Sequence, residues 1–213
     1  MKITRFVVNP FAESTYVLWH EDGSDAFVVD PGMCDDYECD QFARFIDSHN
    51  LNVTKVLLTH VHVDHVLAVS WMVEKYGASV EYSKDDDFMR ELIPEQIRSF
   101  GLKYEFKQFA ATRFLVDGEV LDLNGEKIDV IATPGHSLGS LSFHSSESKK
   151  VIVGDAVFAM SIGRTDLAGG NYEQLINSIN KKLMTLPENT VIYPGHGDCT
   201  TVGEEKRYNP FLK

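Results

Sequence analysis

The sequence predicts an α/β fold (α+β) in which β-sheets are covered by helices. Predicted strands come first, then a helix, then strands and helices again, which is typical of sheets with helices packed against them. The 213 residues are 43% hydrophobic and 24% charged, the balance of a globular protein with a buried core. No linker or composition shift divides the chain, so we expect one domain over residues 1–213.

The first part of the chain predicts four strands and one helix. Residues 2–8, 14–19 and 25–30 are rich in β-branched and aromatic residues and are separated by turn residues. Residues 35–49 place hydrophobic side chains at helical spacing and acidic residues in the first turn, which predicts a helix. Residues 53–58 form a short apolar run that suits a strand covered on both faces.

The remainder alternates helices with strands. The predicted helices are residues 66–76, residues 84–100 with a break near Pro94, and residues 172–185. A hairpin over residues 118–132 is predicted because Asn124-Gly125 suits a type I′ turn. The further predicted strands are residues 78–82, 140–144, 150–153 and 190–193. Thr201 and Glu204 have the spacing of a capping box for a last short helix.

Three histidines and an aspartate are crowded into six positions directly after the strand at residues 53–58. The segment reads His60-Val61-His62-Val63-Asp64-His65. Imidazole nitrogens and carboxylate oxygens bind zinc and several other divalent ions. A single histidine is usually a surface or core residue, but this concentration predicts a metal site.

Three later loops, each after an apolar run, carry further candidate ligands. They are His136, Asp155 and His196, and each of the two histidines follows a Pro-Gly turn. Taken singly, a Pro-Gly turn is most often only a turn, and an aspartate after a strand is usually a cap. Their joint occurrence in this order supports one site with several ligands.

These motifs resemble the five ligand motifs of the metallo-β-lactamase superfamily over nearly the whole chain. The resemblance implies an αββα sandwich, two mixed sheets with helices on the outer faces. By position it implies one metal at His60, His62 and His136, a second at Asp64, His65 and His196, and Asp155 as the bridge. Asp30, in Val28-Val29-Asp30-Pro31-Gly32, matches the structural aspartate of the superfamily rather than a ligand.

Such a site implies two divalent metal ions, with zinc expected first; iron and manganese accept the same ligands. Two cations about 3.5–4 Å apart can share a water, lower its pKa and leave a hydroxide as the nucleophile. No serine or cysteine nucleophile is then required. Asp64 is the candidate catalytic residue, because it would orient this hydroxide as well as bind metal.

The branch of the superfamily is indicated by further motifs. An aspartate at position 155 together with Asp64 and His65 resembles the glyoxalase II, lactonase and RNase Z branches. Closer still, the segments at residues 9–16, 163–166, 193–197 and 209–212 resemble the short, single-domain glyoxalase II-like hydrolases, which lack the C-terminal helical region of the full-length enzymes. This resemblance implies hydrolysis of a small-molecule thioester of the hydroxyacylglutathione type. Arg164 would then pair with a substrate carboxylate or, in a structural role, with Asp166.

Other activities stay open at this point. Lactone hydrolysis is the nearest alternative, because it uses the same attack on an acyl carbon. Some relatives that resemble glyoxalase II bind one iron and oxidise persulfides with dioxygen, but they use fewer metal ligands. RNA cleavage, antibiotic hydrolysis and a binding module in which metals only brace loops are weaker alternatives, the last because structural zinc sites normally have closed four-ligand shells.

Charge, hydropathy and cysteine number indicate which partners and which cellular compartment to expect. The formal net charge is −12 and no basic cluster occurs, so we expect no nucleic-acid partner. No apolar run has the length of a signal-peptide core or a membrane span, so we expect no membrane partner and a cytoplasmic location. Cys34, Cys39 and Cys199 are odd in number, which favours reduced thiols. The sequence carries no signal of oligomeric state.

Overall fold

A computed structural model describes residues 1–212, which form two six-stranded β-sheets, a two-stranded ribbon and flanking helices. The strands of the first sheet are β1 (Lys2–Val8), β2 (Glu13–Trp19), β3 (Asp25–Val29), β4 (Asn52–Leu57), β5 (Ser79–Ser83) and β6 (Arg113–Leu115). They lie in sequence order. The first three are antiparallel, whereas β3 to β6 run parallel, so the sheet is mixed.

Helical segments connect the parallel strands of the first sheet. The segments are α1 (Asp36–Ser48), α2 (Val63–Val66), α3 (Val69–Tyr76), a 3₁₀ segment (Lys84–Leu92) and α4 (Ile93–Ser99). Helix α1 begins where the Asp35 side chain accepts a hydrogen bond from the Glu38 backbone N at 2.8 Å, an N-cap that satisfies an otherwise unpaired donor. Its buried Phe42 and Ile46 then face the sheet.

The second sheet is also mixed. Its strands are β7 (Val120–Leu123), β8 (Glu126–Ala132), β9 (Leu141–Ser145), β10 (Lys150–Gly154), β13 (Val191–Pro194) and β14 (Thr200–Thr201), and β11 (Val157–Phe158) with β12 (Ser161–Ile162) forms the ribbon. The spatial order is β14-β13-β10-β9-β8-β7, and only β10 and β13 are parallel. The hairpin β7–β8 is confirmed, with positive φ at both Asn124 (53°) and Gly125 (93°), as a type I′ turn requires.

Helices of the second half complete the architecture. They are α5 (Tyr172–Ser178), which continues into a π-helical turn (Ile179–Leu183), and α6 (Val202–Tyr208). Helix α6 has the predicted cap, since Thr201 Oγ1 accepts from the Glu204 backbone N at 3.2 Å. Within residues 1–212 no helix is long and apolar enough to cross a membrane.

Alternating side chains divide the core into three layers. In β3, Ala26 and Val28 pack towards the helices, whereas Phe27 and Val29 pack between the sheets. In β10, Ile152 joins that inner layer, while its neighbours pack outwards with α5 and α6. Strand residues point alternately to opposite faces, so a sheet covered on both faces is apolar throughout. The predicted αββα sandwich of two mixed sheets is confirmed.

Two predicted helices differ from the observed ones. The helix predicted at residues 66–76 is instead α2 and α3, separated at Leu67 and Ala68, because the Ala68 N–H donates to the carbonyl of Pro31 at 2.9 Å rather than within a helix. The segment at residues 84–100 is a 3₁₀ segment followed by α4. Pro94 is the second residue of α4, where its missing N–H costs no helical hydrogen bond, so it starts a helix rather than breaking one.

Four short strands were not predicted. They are β6, β11, β12 and β14, each of two or three residues. Periodicity over so few positions gives no signal, and their pairing is decided by distant parts of the chain. The β11–β12 ribbon directly follows Asp155 and lies beside the site described next.

Candidate metal centre

All seven candidate ligands lie at one edge of the sandwich. His136, Asp155 and His196 follow β8, β10 and β13, and these strands run in the same direction because β8 and β10 are both antiparallel to β9. The other four ligands follow β4 of the first sheet, His60 and His62 in the loop and Asp64 and His65 in α2. This loop is joined to the second sheet by a hydrogen bond from Leu141 N to Thr59 O at 2.7 Å. The edge therefore collects ligands from both sheets.

The first group of ligands is the three-histidine cluster of His60, His62 and His136. The Nε2 atom of His136 lies 3.2 Å from Nε2 of His60 and 2.8 Å from Nδ1 of His62. All three side chains are buried. Burial and the neighbouring imidazoles lower the pKa of His60 well below its usual value and that of His62 to about 3. His60 and His62 are therefore neutral, which is the form of imidazole that binds a metal ion, and their nitrogens converge with Nε2 of His136.

The second group is the mixed cluster of Asp64, His65 and His196. Nε2 of His196 lies 3.1 Å from Oδ2 of Asp64, and Nε2 of His65 lies 3.6 Å from the same oxygen. Burial alone would raise the pKa of Asp64, but His65 and His196 outweigh it and lower that pKa. Asp64 is therefore held as a carboxylate.

Asp155 lies between the two clusters. Its Oδ1 is 3.5 Å from Nε2 of His65, and its Oδ2 is 3.6 Å from Nε2 of both His136 and His196. Among residues 1–212, Oδ1 of Asp155 and Nε2 of His65 are buried side-chain atoms without a hydrogen-bond partner. Buried polar atoms are normally paired, so unpaired atoms facing one another fit a bound cation. The ligand atoms of each cluster lie close enough together to hold one divalent ion, and Asp155 lies within 3.6 Å of histidines of both clusters.

Hydrogen bonds behind the ligands fix which ring nitrogen faces the site. The Nδ1 atoms of His65, His136 and His196 lie 3.0 Å from Asp30 Oδ2, 2.7 Å from the Arg164 carbonyl and 3.1 Å from the Phe11 carbonyl, respectively. An Nδ1–H that donates to an oxygen leaves Nε2 with the free lone pair. Asp30 thus behaves as the predicted structural aspartate, because its oxygens are also taken by Thr59 N (2.7 Å) and Thr59 Oγ1 (2.5 Å).

Several of these supporting groups were not found from the sequence. They are Thr59, the Phe11 carbonyl and Glu13, whose buried side chain lies 3.8 Å from His65 Nδ1 and 3.0 Å from Thr15 Oγ1. Burial raises the pKa of Glu13 well above its usual value. A backbone carbonyl has no sequence signature, and Glu13 lies far from the ligand motifs along the chain.

Arg164 lines the cleft but is paired within its own loop. Its Nε and Nη2 lie 2.7 and 2.8 Å from the two carboxylate oxygens of Asp166, and the guanidinium group is half exposed. The structural role considered for Arg164 is therefore observed. The side chain of Arg164 is also exposed at the cleft, so it can bind a substrate in the same conformation.

A cleft of about 300 Å³ opens over the two clusters. Asp64, Asp155 and three of the histidines form its floor, and the apolar lining consists of Phe11, Val63, Met89, Phe100, Leu167 and Ala168. The rings of Phe11 and Phe100 meet edge to face with centroids 5.2 Å apart. The volume and lining suit a small organic molecule.

The family model described as the metallo-beta-lactamase superfamily matches residues 8–196. The chain belongs to the metallo-β-lactamase superfamily. A curated relative in this superfamily, hydroxyacylglutathione hydrolase GloC of Haemophilus influenzae, is 38% identical over all of this chain and 98% of its own length. The probable metallo-hydrolase YqgX of Bacillus subtilis is 35% identical over all of this chain and 98% of its own.

Solved structures of other proteins share the fold. The BLEG-1 B3 metallo-beta-lactamase superposes with a TM-score of 0.87 at 31% identity and covers the whole of both chains. TTHA1623, solved in a di-iron-bound form, superposes with a TM-score of 0.86 at 34% identity and covers 98% of this chain and all of its own. The superfamily predicted from the ligand motifs is confirmed.

Proposed function

We propose that this protein is a dinuclear metal-dependent hydrolase that cleaves thioesters of the hydroxyacylglutathione type. The observation that carries the proposal is the pair of clusters joined by Asp155 at the floor of a cleft. Metal ions held there would supply Lewis acidity to the acyl group and lower the pKa of a water molecule. The full-length similarity to hydroxyacylglutathione hydrolase GloC supports the thioester class.

The chain's own residues hold and orient the reacting groups. Asp64 lines the cleft as a carboxylate, so besides binding metal it can accept a hydrogen bond from the attacking water and orient it. With metal ions held in the two clusters, water and acyl carbon would lie within reach of each other, which would remove much of the entropic cost of attack. Zinc is the expected metal, and the di-iron form of TTHA1623 makes iron the first alternative.

The walls of the cleft fit a thioester with an apolar part and a carboxylate. Phe11, Phe100 and Met89 can bury the acyl chain or the methylene groups beside sulfur. Arg164, which lines the cleft, can bind a substrate carboxylate through the N–H groups that do not face Asp166. The substrate is thus proposed as a small acyl thioester that carries negative charge away from the scissile bond.

Lactone hydrolysis and persulfide oxidation are the activities that compete with this proposal. The first uses the same attack on an acyl carbon, so the ligand set alone does not separate it from thioester hydrolysis. The second requires one iron and dioxygen. Seven ligands arranged as two clusters with a shared aspartate favour a two-metal hydrolase over a one-metal oxidase.

The proposal is tested by hydrolysis of S-lactoylglutathione with purified protein of measured metal content. We expect turnover in the wild type and a loss of about a hundredfold or more in His62→Ala, which removes a ligand from the three-histidine cluster. The control is His144→Ala, which removes a buried histidine of β9 that is not a candidate ligand and whose Nδ1 lies 3.4 Å from Oδ2 of Asp129. Turnover of lactones alone, or oxygen uptake with a persulfide, would contradict the thioester assignment.

A further inference from the structure

Asp86 is a fully buried carboxylate outside the ligand set. It lies in the 3₁₀ segment after β5, and none of its side chain is exposed. Three uncharged groups donate to it: Ser137 Oγ to Oδ2 at 2.7 Å, Val61 N to Oδ2 at 3.3 Å and Gly139 N to Oδ1 at 2.7 Å. Burial raises the pKa of Asp86 even though these donors oppose the shift. Burying a carboxylate costs free energy, and hydrogen bonds such as these three offset part of that cost.

The donors belong to the two loops that carry the three-histidine cluster. Val61 lies between His60 and His62, and Ser137 directly follows His136. One carboxylate thus joins a loop from the first sheet to a loop from the second sheet. The approach is close, because a Cβ at Gly139 would come within 2.7 Å of Asp86 N and 2.8 Å of its Cγ. Glycine is therefore required at position 139 for this contact.

We propose that Asp86 is a positioning residue for the three-histidine cluster, which sets the affinity of that cluster for a divalent ion without touching the ion. The inference rests on the proposed metal centre. The hydrogen bonds of Asp86 do not reach Asp64, nor do they reach His65 and His196, which are oriented by Asp30 and by the Phe11 carbonyl, respectively. Supporting hydrogen bonds of this kind change metal affinity by about 10–100-fold.

Asp87 provides a matched control one residue away. Its Oδ1 accepts hydrogen bonds from Tyr82 OH at 2.6 Å and Arg90 Nε at 2.7 Å, and its side chain is partly exposed. Asp87→Asn therefore makes the same chemical change in the same segment without affecting either ligand loop. In Asp86→Asn, by contrast, an amide N–H₂ replaces an acceptor and faces the Val61 N–H or Gly139 N–H.

The test is a Co²⁺ titration of the metal-free protein, followed by the visible absorption of the bound ion. The steps are assigned by His62→Ala, which abolishes the three-histidine step, and His196→Ala, which abolishes the other. We expect Asp86→Asn to weaken the His62-dependent step about 10–100-fold and to leave the His196-dependent step unchanged, with both steps unchanged in Asp87→Asn. Ser137→Ala, which removes one donor without a charge change, should weaken the same step less.

The outcomes separate this role from a general structural one and from the metal centre itself. Equal weakening of both steps in Asp86→Asn, or no weakening of either, would overturn the role of Asp86 while the wild-type steps stay intact. If Asp86→Asn does not fold, Ser137→Ala decides by the same criterion. A wild-type protein that shows no two-step binding would overturn the proposed centre and the role of Asp86 with it.

Discussion

The Nδ1 atom of His65 lies 3.0 Å from Oδ2 of Asp30, so a carboxylate at the end of β3 orients a candidate ligand in α2. Asp30 itself sits at a φ of 51°, a conformation that asparagine also tolerates. We predict that Asp30→Asn keeps the fold but weakens zinc binding about 10–100-fold, because an amide keeps one acceptor oxygen where the two carboxylate oxygens accept from Thr59 N, Thr59 Oγ1 and His65 Nδ1. Competition with a chromophoric chelator measures the affinity. Asp25→Asn, on the same strand, should have no effect.

A glycine beside Asp155 is predicted to be essential for the site. A Cβ at Gly195 would lie 2.2 Å from Asp155 Oδ1 and 2.8 Å from His65 Cε1. Gly195→Ala should therefore displace Asp155 and reduce the metal content of the purified protein, as measured by atomic emission. Gly197→Ala is the control, since its φ of +76° brings strain of about 1 kcal/mol but a Cβ there meets no atom within 4 Å. Equal metal contents in the two variants would contradict this explanation.

Arg164 provides a kinetic prediction. If its guanidinium group binds the substrate carboxylate in ground state and transition state alike, Arg164→Ala raises the KM for S-lactoylglutathione about tenfold and leaves kcat nearly unchanged. The main-chain carbonyl that orients His136 is present in the variant, so the metal content should not change. Arg207→Ala, an exposed arginine paired with Glu188, is the control. A fall in kcat at constant KM would show that Arg164 does not act by substrate binding.

Glu81 is predicted to make the stability of the metal-free protein dependent on pH. Its buried carboxylate pairs with Lys55 and, at 3.0 Å, with Arg113 Nη2. Burial would raise the pKa of Glu81, but these partners outweigh it and lower the pKa. The stabilisation is therefore complete above the unfolded-state pKa and is lost as pH falls through the lower folded-state value.

The corresponding variant is Glu81→Gln. We expect it to reduce the free energy of unfolding at pH 7 by about 1–3 kcal/mol, because both ion pairs are lost. The loss is limited because Lys55 and Arg113 are partly exposed and regain some hydration. The deficit should shrink as pH falls below about 4, because Glu81 of the unfolded chain then takes up a proton, and it should be lost below the lower pKa of the folded state. Urea unfolding at several pH values measures this difference in the free energy of unfolding between the variant and the wild type. Glu74→Gln, in an exposed pair with Lys107, is the control and should change stability by less than about 1 kcal/mol. If the loss of stability in Glu81→Gln did not depend on pH, it would not arise from the charge of Glu81.

The fold and the grouping of the candidate ligands could be predicted from the sequence because both depend on local patterns. His60 to His65 follow an apolar run that suits a strand covered on both faces, and Asn124-Gly125 specifies its own turn. The contacts that support the ligands were not predictable, because Phe11 reaches His196 through a carbonyl and Asp86 reaches Val61 and Ser137 across the chain. The break between α2 and α3 has the same origin, since it depends on the distant carbonyl of Pro31.

The most direct test of the account is a zinc reconstitution of the metal-free protein, with S-lactoylglutathione turnover measured at each addition. The two clusters and the shared Asp155 predict that turnover rises to a plateau at two zinc ions per chain, and that His62→Ala and His196→Ala each bind one ion and turn over slowly. Full turnover at one ion per chain, or none at two, would contradict a dinuclear thioester hydrolase.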